Sequence, residues 1–215
     1  MSIIHDFQRL MRPSNDAEVP DLGPLMPPPS RVSQESREAL SNLLQAAHAA
    51  LLHELLGRIH VQPPEFFERL VIDVLLTMGY GTERSDTAQR LGRSGDGGID
   101  GVIALDELGF DLIYIQAKRL KPGVPVPISA IRDFAGSLES HHASKGVFVT
   151  TTHFSPGAEQ FCARLSRRVV LIDGQRLADL MVRHNIGVSV QQCYVLKGLD
   201  PAYFCAPDAA FERRL

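Results

Sequence analysis

Two strand-like runs joined by a tight turn, and then an alternation of helical and strand-like segments, constrain the fold of this 215-residue chain most strongly. The runs at residues 99–105 and 110–117 flank a turn at 106–109 that ends in glycine, which predicts an antiparallel hairpin. The segments that follow predict helix, strand, helix, strand and helix at residues 129–139, 146–151, 155–165, 169–172 and 175–184. Neighbouring strands that are joined through a helix run parallel. We therefore predict an α/β fold, an α/β/α sandwich with a mixed central β-sheet.

An amphipathic helix is predicted ahead of the hairpin, at residues 65–78. Its apolar side chains recur at helical spacing and form one stripe: Phe67, Leu70, Val71, Val74, Leu75 and Met78. Pro64 suits the start of this helix, while Ser129 and Ser155 are the predicted N-caps of two later helices. Glu68 lies at the edge of the apolar stripe, so its carboxylate can point along a cleft while its neighbours enter the core.

The chain divides into four predicted segments. Residues 1–34 are proline-rich and carry few periodic apolar positions, which predicts a partly disordered tail. Residues 35–62 are rich in Ala, Leu, Gln and Glu at helical spacing, which predicts a helical lead-in. Residues 63–190 carry the predicted sandwich, and residues 191–215 form a C-terminal extension.

Composition limits the classes of protein that this chain can represent. A hydrophobic content of 44% is enough for one globular core, and the net charge of −3 gives no overall basic field that would attract nucleic acid. A local basic stripe beside an acidic site remains compatible with a nucleic-acid partner. Cys162, Cys193 and Cys205 are odd in number and lack CxxC spacing, which disfavours a disulfide framework or a zinc site. Without a membrane-spanning run or a signal peptide, a cytoplasmic location is expected.

The alternation of side chains along a strand brings a chemically informative set to one end of the hairpin. Gln116 and Lys118 are two residues apart, so they project from the same face at the end of the second strand. Asp100 begins the partner strand and is expected beside them. The opposite face of the second strand carries apolar residues: Ile113, Ile115 and Ala117. A core strand that ends in this polar set predicts a catalytic site.

Hydrolysis of a phosphodiester needs a hard cation and a group that acts on the attacking water, and this set can supply both. Mg²⁺, or Mn²⁺ in its place, binds oxygen ligands, which Asp100, the Gln116 side chain and the backbone carbonyl of Ala117 can provide. The Lys118 ammonium can orient or activate the water and stabilise the developing charge. Glu68 is a candidate for a further metal-binding carboxylate.

Plainer interpretations of the same residues stay open. The polar set could be the solvated end of an ordinary hairpin, and Glu68 could be an exposed glutamate near a helix N-terminus. The glycines at 95, 97 and 98 precede a strand, which disfavours a dinucleotide site and leaves them the role of letting backbone pass close to metal or DNA. Arg119 and Lys121 adjoin the polar set and are candidates for phosphate contacts.

The wider sequence resembles a known family. Asp100, Gln116 and Lys118 form a variant of the P-D…(D/E)-x-K nuclease motif, with glutamine in place of the middle acid. The surrounding sequence resembles the catalytic domain of Mrr-type (type IV) restriction endonucleases at residues 67–71, 78–81, 95–101, 115–119, 145–151 and 171–174. The resemblance extends over roughly residues 63–190 and is more specific than the motif alone.

The resemblance implies a restriction-endonuclease-like core and Mg²⁺-dependent cleavage of double-stranded DNA, usually DNA that carries methylated bases. By motif position it implies that Asp100, Gln116 and Lys118 are catalytic and that Glu68 is the helix carboxylate. Asp96 belongs to the glycine-rich loop of the family and is expected to be an accessory, DNA-binding residue.

One departure from the family concerns recognition of the DNA. Mrr-type proteins commonly carry an N-terminal winged-helix domain, and a full one hardly fits in the roughly sixty residues before the predicted core. The sequence therefore supports cleavage chemistry better than recognition of a methylated base. The alternatives are a relative that binds DNA without cutting it and an RNA- or protein-binding module on the same scaffold. Because two active sites are the simplest way to cut both strands, a homodimer or higher oligomer is expected.

Overall fold

The computed structural model describes residues 34–81, 88–90, 98–193, 195 and 197. Contacts group Ser41–Tyr194 into one compact unit, and a second unit consists of Met1–Leu40 together with Val195–Leu215. The predicted tail at residues 1–34 and most of the predicted extension at 191–215 lie outside the described residues.

The described elements follow the predicted order. The helices are α1 (Gln34–His60), α2 (Pro64–Thr77), α3 (Ile128–Ser140), α4 (Pro156–Cys162) and α5 (Gly174–Arg183). The strands are β1 (Ala88–Arg90), β2 (Gly101–Ala104), β3 (Leu112–Lys118), β4 (Lys145–Thr150) and β5 (Arg168–Ile172). Of these elements, β1 was not predicted. None of the helices in the described part of the chain has the length and apolar character that a membrane span requires.

The described strands form one mixed sheet in the order β1-β2-β3-β4-β5. The first three pair antiparallel, whereas β3, β4 and β5 pair parallel. The hairpin predicted from the two strand-like runs is the β2–β3 pair, and the helices α3 and α4 make the two parallel crossovers. The predicted α/β fold with a mixed central sheet is therefore confirmed.

Helices cover both faces of the sheet. One face packs on α2, on α5 and on the C-terminal part of α1, and its core includes the fully buried Phe67 and Ile115. The other face packs on α3 and α4, where Phe134 and Phe148 meet edge to face with ring centres 5.5 Å apart. A fully buried side chain of this size stabilises the folded state by about 1.5–3 kcal/mol. These two cores form the predicted sandwich and hold β3 between them.

The N-cap prediction was right for α4 and wrong for α3. Ser155 caps α4, because its hydroxyl accepts a hydrogen bond from the Ala158 N–H at 3.2 Å. Ser129 instead lies inside the first turn of α3, and Pro127 occupies the cap position without a side-chain hydrogen bond. The reason is tertiary: Val126 is held in an extended bridge beside Phe154, so the chain turns into the helix directly after Pro127.

Asp106 holds the turn of the β2–β3 hairpin. Its carboxylate accepts hydrogen bonds from the N–H groups of Leu108 at 2.9 Å and Asp111 at 2.6 Å. These bonds, chiefly the one from Asp111, hold the pKa of Asp106 below its usual value. An acid whose pKa is lowered by folding stabilises the folded state only while it is ionised. The contribution of Asp106 to stability is therefore lost as the pH falls through its lowered pKa. The turn sets the register that brings Asp100 to Ala117.

Candidate active site

The predicted polar set lies at the C-terminal end of β3, in the middle of the sheet. Gln116 and Lys118 occupy the same face of the strand and stand in register with Phe148 and Thr150 of β4. Both side chains are half-buried. The site therefore lies at the end of a central strand, where the neighbouring strands hold it in place and solvent can still reach it.

Asp100 is attached to this strand end by two hydrogen bonds. The residue directly precedes β2, and its N–H donates to the Ile115 carbonyl at 2.8 Å. Its carboxylate Oδ2 accepts a hydrogen bond from the Ala117 N–H at 2.7 Å. The carboxylate consequently lies against the backbone between Gln116 and Lys118, where the sequence had placed it.

The backbone carbonyl of Ala117 faces the same side as Asp100. In a strand, the N–H and C=O of one residue point toward the same neighbour. The Ala117 N–H donates to the Asp100 carboxylate, so the Ala117 carbonyl faces the β2 side of the strand as well. The carbonyl of Lys118 points the other way, to β4, and accepts a hydrogen bond from the Thr150 hydroxyl at 2.9 Å.

Gln116 supplies an oxygen that the described protein leaves unsatisfied. Its Oε1 atom is buried and has no hydrogen-bond partner among the described residues. A buried acceptor without a partner costs about 1–3 kcal/mol, which a bound cation would offset. Across the described residues, no three His, Cys, Asp or Glu side chains gather around a possible ion position. The Asp100 carboxylate, the Gln116 amide oxygen and the Ala117 carbonyl oxygen together offer a donor set that fits Mg²⁺.

Gly98 lies directly against the amide of Gln116. Its φ of +84° is in the left-handed region, and a Cβ at this position would come within 2.5 Å of the Gln116 Nε2 atom. A side chain here would push the flexible amide away and move the buried Oε1 with it. The glycine thus allows the backbone to pass close to the Gln116 amide.

Gly98→Ala is expected to lower the rate of metal-dependent DNA cleavage strongly and the free energy of unfolding only moderately. The positive φ alone costs about 1–2 kcal/mol, and displacement of the Gln116 amide would remove a candidate metal ligand. Gly109→Ala is the matched control, because Gly109 has a φ of +74° but no atom within 4 Å of the added Cβ. Thermal unfolding and cleavage rates of both variants check this. Equal activity in the two variants would contradict the role of Gly98.

Glu68 lies half-buried on α2, next to the fully buried Phe67. The helix packs on β3 through its apolar stripe, which includes Leu70 and Val71. Glu68 is thus on a helix that covers the face of β3 carrying Ile113 and Ile115, opposite to the face of Gln116 and Lys118. It remains a candidate for a further metal ligand.

The three predicted DNA-contacting residues have different surroundings. Lys121 is exposed in the loop that follows β3. Arg119 is half-buried, and its Nη1 donates a hydrogen bond to the His60 carbonyl at 2.7 Å. Asp96 lies outside the described residues.

Two threonines hold the backbone at the end of β3, a role that was not predicted. Thr150 and Thr151 are 0% and 3% exposed, and their hydroxyls bond to the backbone of Lys118 and of Leu120. In the sequence, β-propensity is a sufficient explanation for threonines at the end of a strand. Only the pairing of β4 with β3 reveals what their hydroxyls contact.

Comparison with known proteins places this geometry in a family. Residues 59–181 match the family Mrr_cat, described as restriction endonuclease, and the matched region includes Glu68, Asp100, Gln116 and Lys118. The chain is 42% identical over 167 residues to the "Type IV methyl-directed restriction enzyme EcoKMrr" of Escherichia coli (strain K12). That alignment covers 78% of this chain and 53% of the relative, so the chain spans about half the length of the relative.

One solved structure shares this fold. The "DNA modification-dependent restriction endonuclease AspBHI" is 20% identical with a TM-score of 0.51, over 66% of this chain and 36% of that protein. This likeness shows a restriction-endonuclease fold. The MspJI restriction endonuclease in complex with a 27-mer oligonucleotide is 28% identical with a TM-score of 0.46, over 66% of this chain and 33% of that one. Since the family match covers more than half of the chain, the resemblance in the sequence is confirmed, and the chain belongs to the Mrr_cat restriction endonuclease family.

Proposed function

We propose that this chain is a metal-dependent endonuclease that hydrolyses phosphodiester bonds of double-stranded DNA and restricts modified, methylated foreign DNA. The observation that carries the proposal is the Asp100 carboxylate, hydrogen-bonded to the Ala117 N–H between Gln116 and Lys118 in a restriction endonuclease family. This set contains the oxygen ligands and the ammonium that phosphodiester hydrolysis requires. Residues 63–190 would form the catalytic domain.

In the proposed mechanism each residue has a separate task. Asp100, the Gln116 Oε1 atom and the Ala117 carbonyl would hold Mg²⁺, or Mn²⁺ as a substitute, with Glu68 as a further ligand. When bound, the cation neutralises charge on the scissile phosphate. Lys118 would orient the attacking water and stabilise the negative charge that develops during the attack. Lys121 is exposed and would contact the DNA backbone, while Asp96 would assist from the glycine-rich loop.

The proposal also covers the substrate of this chain and its location in the cell. The relative from Escherichia coli carries the description "methyl-directed", which supports methylated DNA as the substrate of this chain. A reader of the modified base, if it is not within this chain, would have to be supplied by another element. Foreign DNA is met in the cytoplasm, and three cysteines without CxxC spacing fit that compartment.

Digestion of methylated and unmethylated plasmid tests the proposal, with Mg²⁺, Mn²⁺ or a chelator and with Lys118→Ala as the background control. Cleavage of the methylated plasmid alone, lost with the chelator and in the variant, is the expected result. Equal cleavage of both plasmids would retain the nuclease and remove the methyl specificity. An electrophoretic shift without cleavage above the background would favour a non-cleaving DNA-binding relative instead.

We also propose that the active form is a homodimer or a higher oligomer. One active site cuts one strand, so two copies provide the simplest way to cut a duplex. Gel filtration with light scattering, with and without DNA, checks this proposal. A monomer under both conditions would contradict it.

A further inference from the structure

Directly after β3, hydrogen bonds from threonine side chains at the end of β4 take the place of the backbone hydrogen bonds that join paired strands. The Thr151 hydroxyl donates to the Leu120 carbonyl at 3.0 Å and accepts from the Leu120 N–H at 3.1 Å. Thr150 binds the Lys118 carbonyl through its own hydroxyl. Both threonines are buried, so these hydrogen bonds are shielded from water. One side of the strand end is therefore anchored to β4.

Arg119 anchors the same segment to α1. Its Nη1 donates to the carbonyl of His60, the last residue of α1, at 2.7 Å. The last carbonyls of a helix lack partners within the helix and carry partial negative charge, so a guanidinium is a favourable cap. The Arg119 Nε atom is also buried, and it has no hydrogen-bond partner within the described residues. The arginine thus points into the protein.

The alternation of the strand explains why Arg119 and Lys118 are in different surroundings. Successive side chains point to opposite faces of a sheet, so Lys118 shares a face with Gln116, and Arg119 continues the face of Ile115 and Ala117. That second face is the one covered by α1 and α2. If the Arg119 guanidinium turned toward DNA instead, the His60 carbonyl would lose this hydrogen-bond donor.

We propose that Arg119 is a positioning residue, which caps α1 and thereby holds the end of β3 so that Lys118 and Gln116 stay in place beside Asp100. The inference rests on the proposed nuclease function and assigns Arg119 a role other than the phosphate contact that the sequence predicted. A displacement of about 1 Å in a catalytic group lowers a rate by about 10²-fold, so loss of this anchor would affect turnover more than binding.

The two roles of Arg119 predict different salt dependence. Each lost phosphate contact reduces the slope of log Kd against log salt concentration by about 1. We expect Arg119→Ala to keep the wild-type slope, measured without divalent cation, and to lower kcat by about 10²-fold with KM unchanged. Lys121→Ala is the comparison for a true phosphate contact, and its slope is expected to fall. Rates are measured well below the unfolding temperature of each variant, so that lost stability does not appear as lost turnover.

Arg119→Gln is a second variant in case the alanine variant does not fold. Its amide can still donate to the His60 carbonyl, so it is expected to keep the wild-type slope and to recover part of kcat. A salt slope reduced as much as that of Lys121→Ala would overturn the positioning role. A wild-type kcat in both Arg119→Ala and Arg119→Gln would overturn it as well. If the wild-type chain binds DNA without cutting it, the proposed function fails, and so does the predicted effect of Arg119 on kcat. The salt slope of DNA binding would still decide whether Arg119 contacts phosphate.

Discussion

Lys118→Ala is expected to lower the rate of metal-dependent DNA cleavage by about 10³-fold, within the range found when a positioned proton-transfer or charge-stabilising group is removed. The lysine projects from the same face of β3 as Gln116, and Thr150 holds the backbone from which its side chain extends. The half-buried side chain is at the strand end, and its removal is expected to leave the fold intact. Single-turnover cleavage with enzyme in saturating excess over the DNA measures the effect.

Lys118→Arg separates the two tasks of the lysine. A guanidinium keeps the positive charge but does not give up a proton in proteins. If charge stabilisation dominates, the arginine variant recovers much of the lost rate. If proton transfer dominates, it behaves like the alanine variant. Cleavage by Lys118→Ala at the wild-type rate would show that Lys118 is not part of the active site.

Asp100→Asn is expected to reduce cleavage to background and to weaken binding of Mg²⁺ or Mn²⁺. The asparagine oxygen can still accept the hydrogen bond from the Ala117 N–H, so the anchor between β2 and β3 is expected to persist. The substitution therefore removes the charge that a hard cation needs and keeps this hydrogen bond. Titration calorimetry with Mn²⁺ and cleavage assays over a range of metal concentrations measure the two effects.

Asp100→Ala is the companion variant, because it removes both the charge and the hydrogen bond to Ala117. A hydrogen bond to a charged group contributes about 1.5–3 kcal/mol, and each kcal/mol shifts Tm by about 2–4 °C in a chain of this size. We therefore expect a lower Tm for the alanine variant than for the asparagine variant, with cleavage absent in both. Normal metal binding by Asp100→Asn would exclude Asp100 as the main ligand.

Regular patterns made the main elements and the centre of the site predictable. The helical spacing of Phe67, Leu70 and Val71 identified α2, and the paired runs around Asp106 identified the hairpin. Strand periodicity placed Gln116 and Lys118 on one face, and the hairpin placed Asp100 near them. These predictions depend on residues that are close in sequence or joined by one turn, where backbone geometry leaves few alternatives.

Predictions that depended on distant partners were incomplete or wrong. The strand at Ala88–Arg90 is three residues long, too short for a periodic pattern, and exists through its pairing with β2. Ser129 lost the N-cap position because the contact of Val126 with Phe154 determines where the chain turns into α3. Propensity describes a residue in isolation, and tertiary contacts override it at such positions.

The sequence by itself determined the order of the helices and of the strands from β2 onward, the hairpin, and the residues that meet at its end, because periodicity and turn chemistry act over short distances along the chain. Only the tertiary structure decided that Arg119 caps α1 through His60, that Thr150 and Thr151 hold the strand after Lys118, and that the Gln116 oxygen is buried without a partner among the described residues. These features join residues from separate elements, and a side chain acquires its partner only when the sheet and its helices have packed.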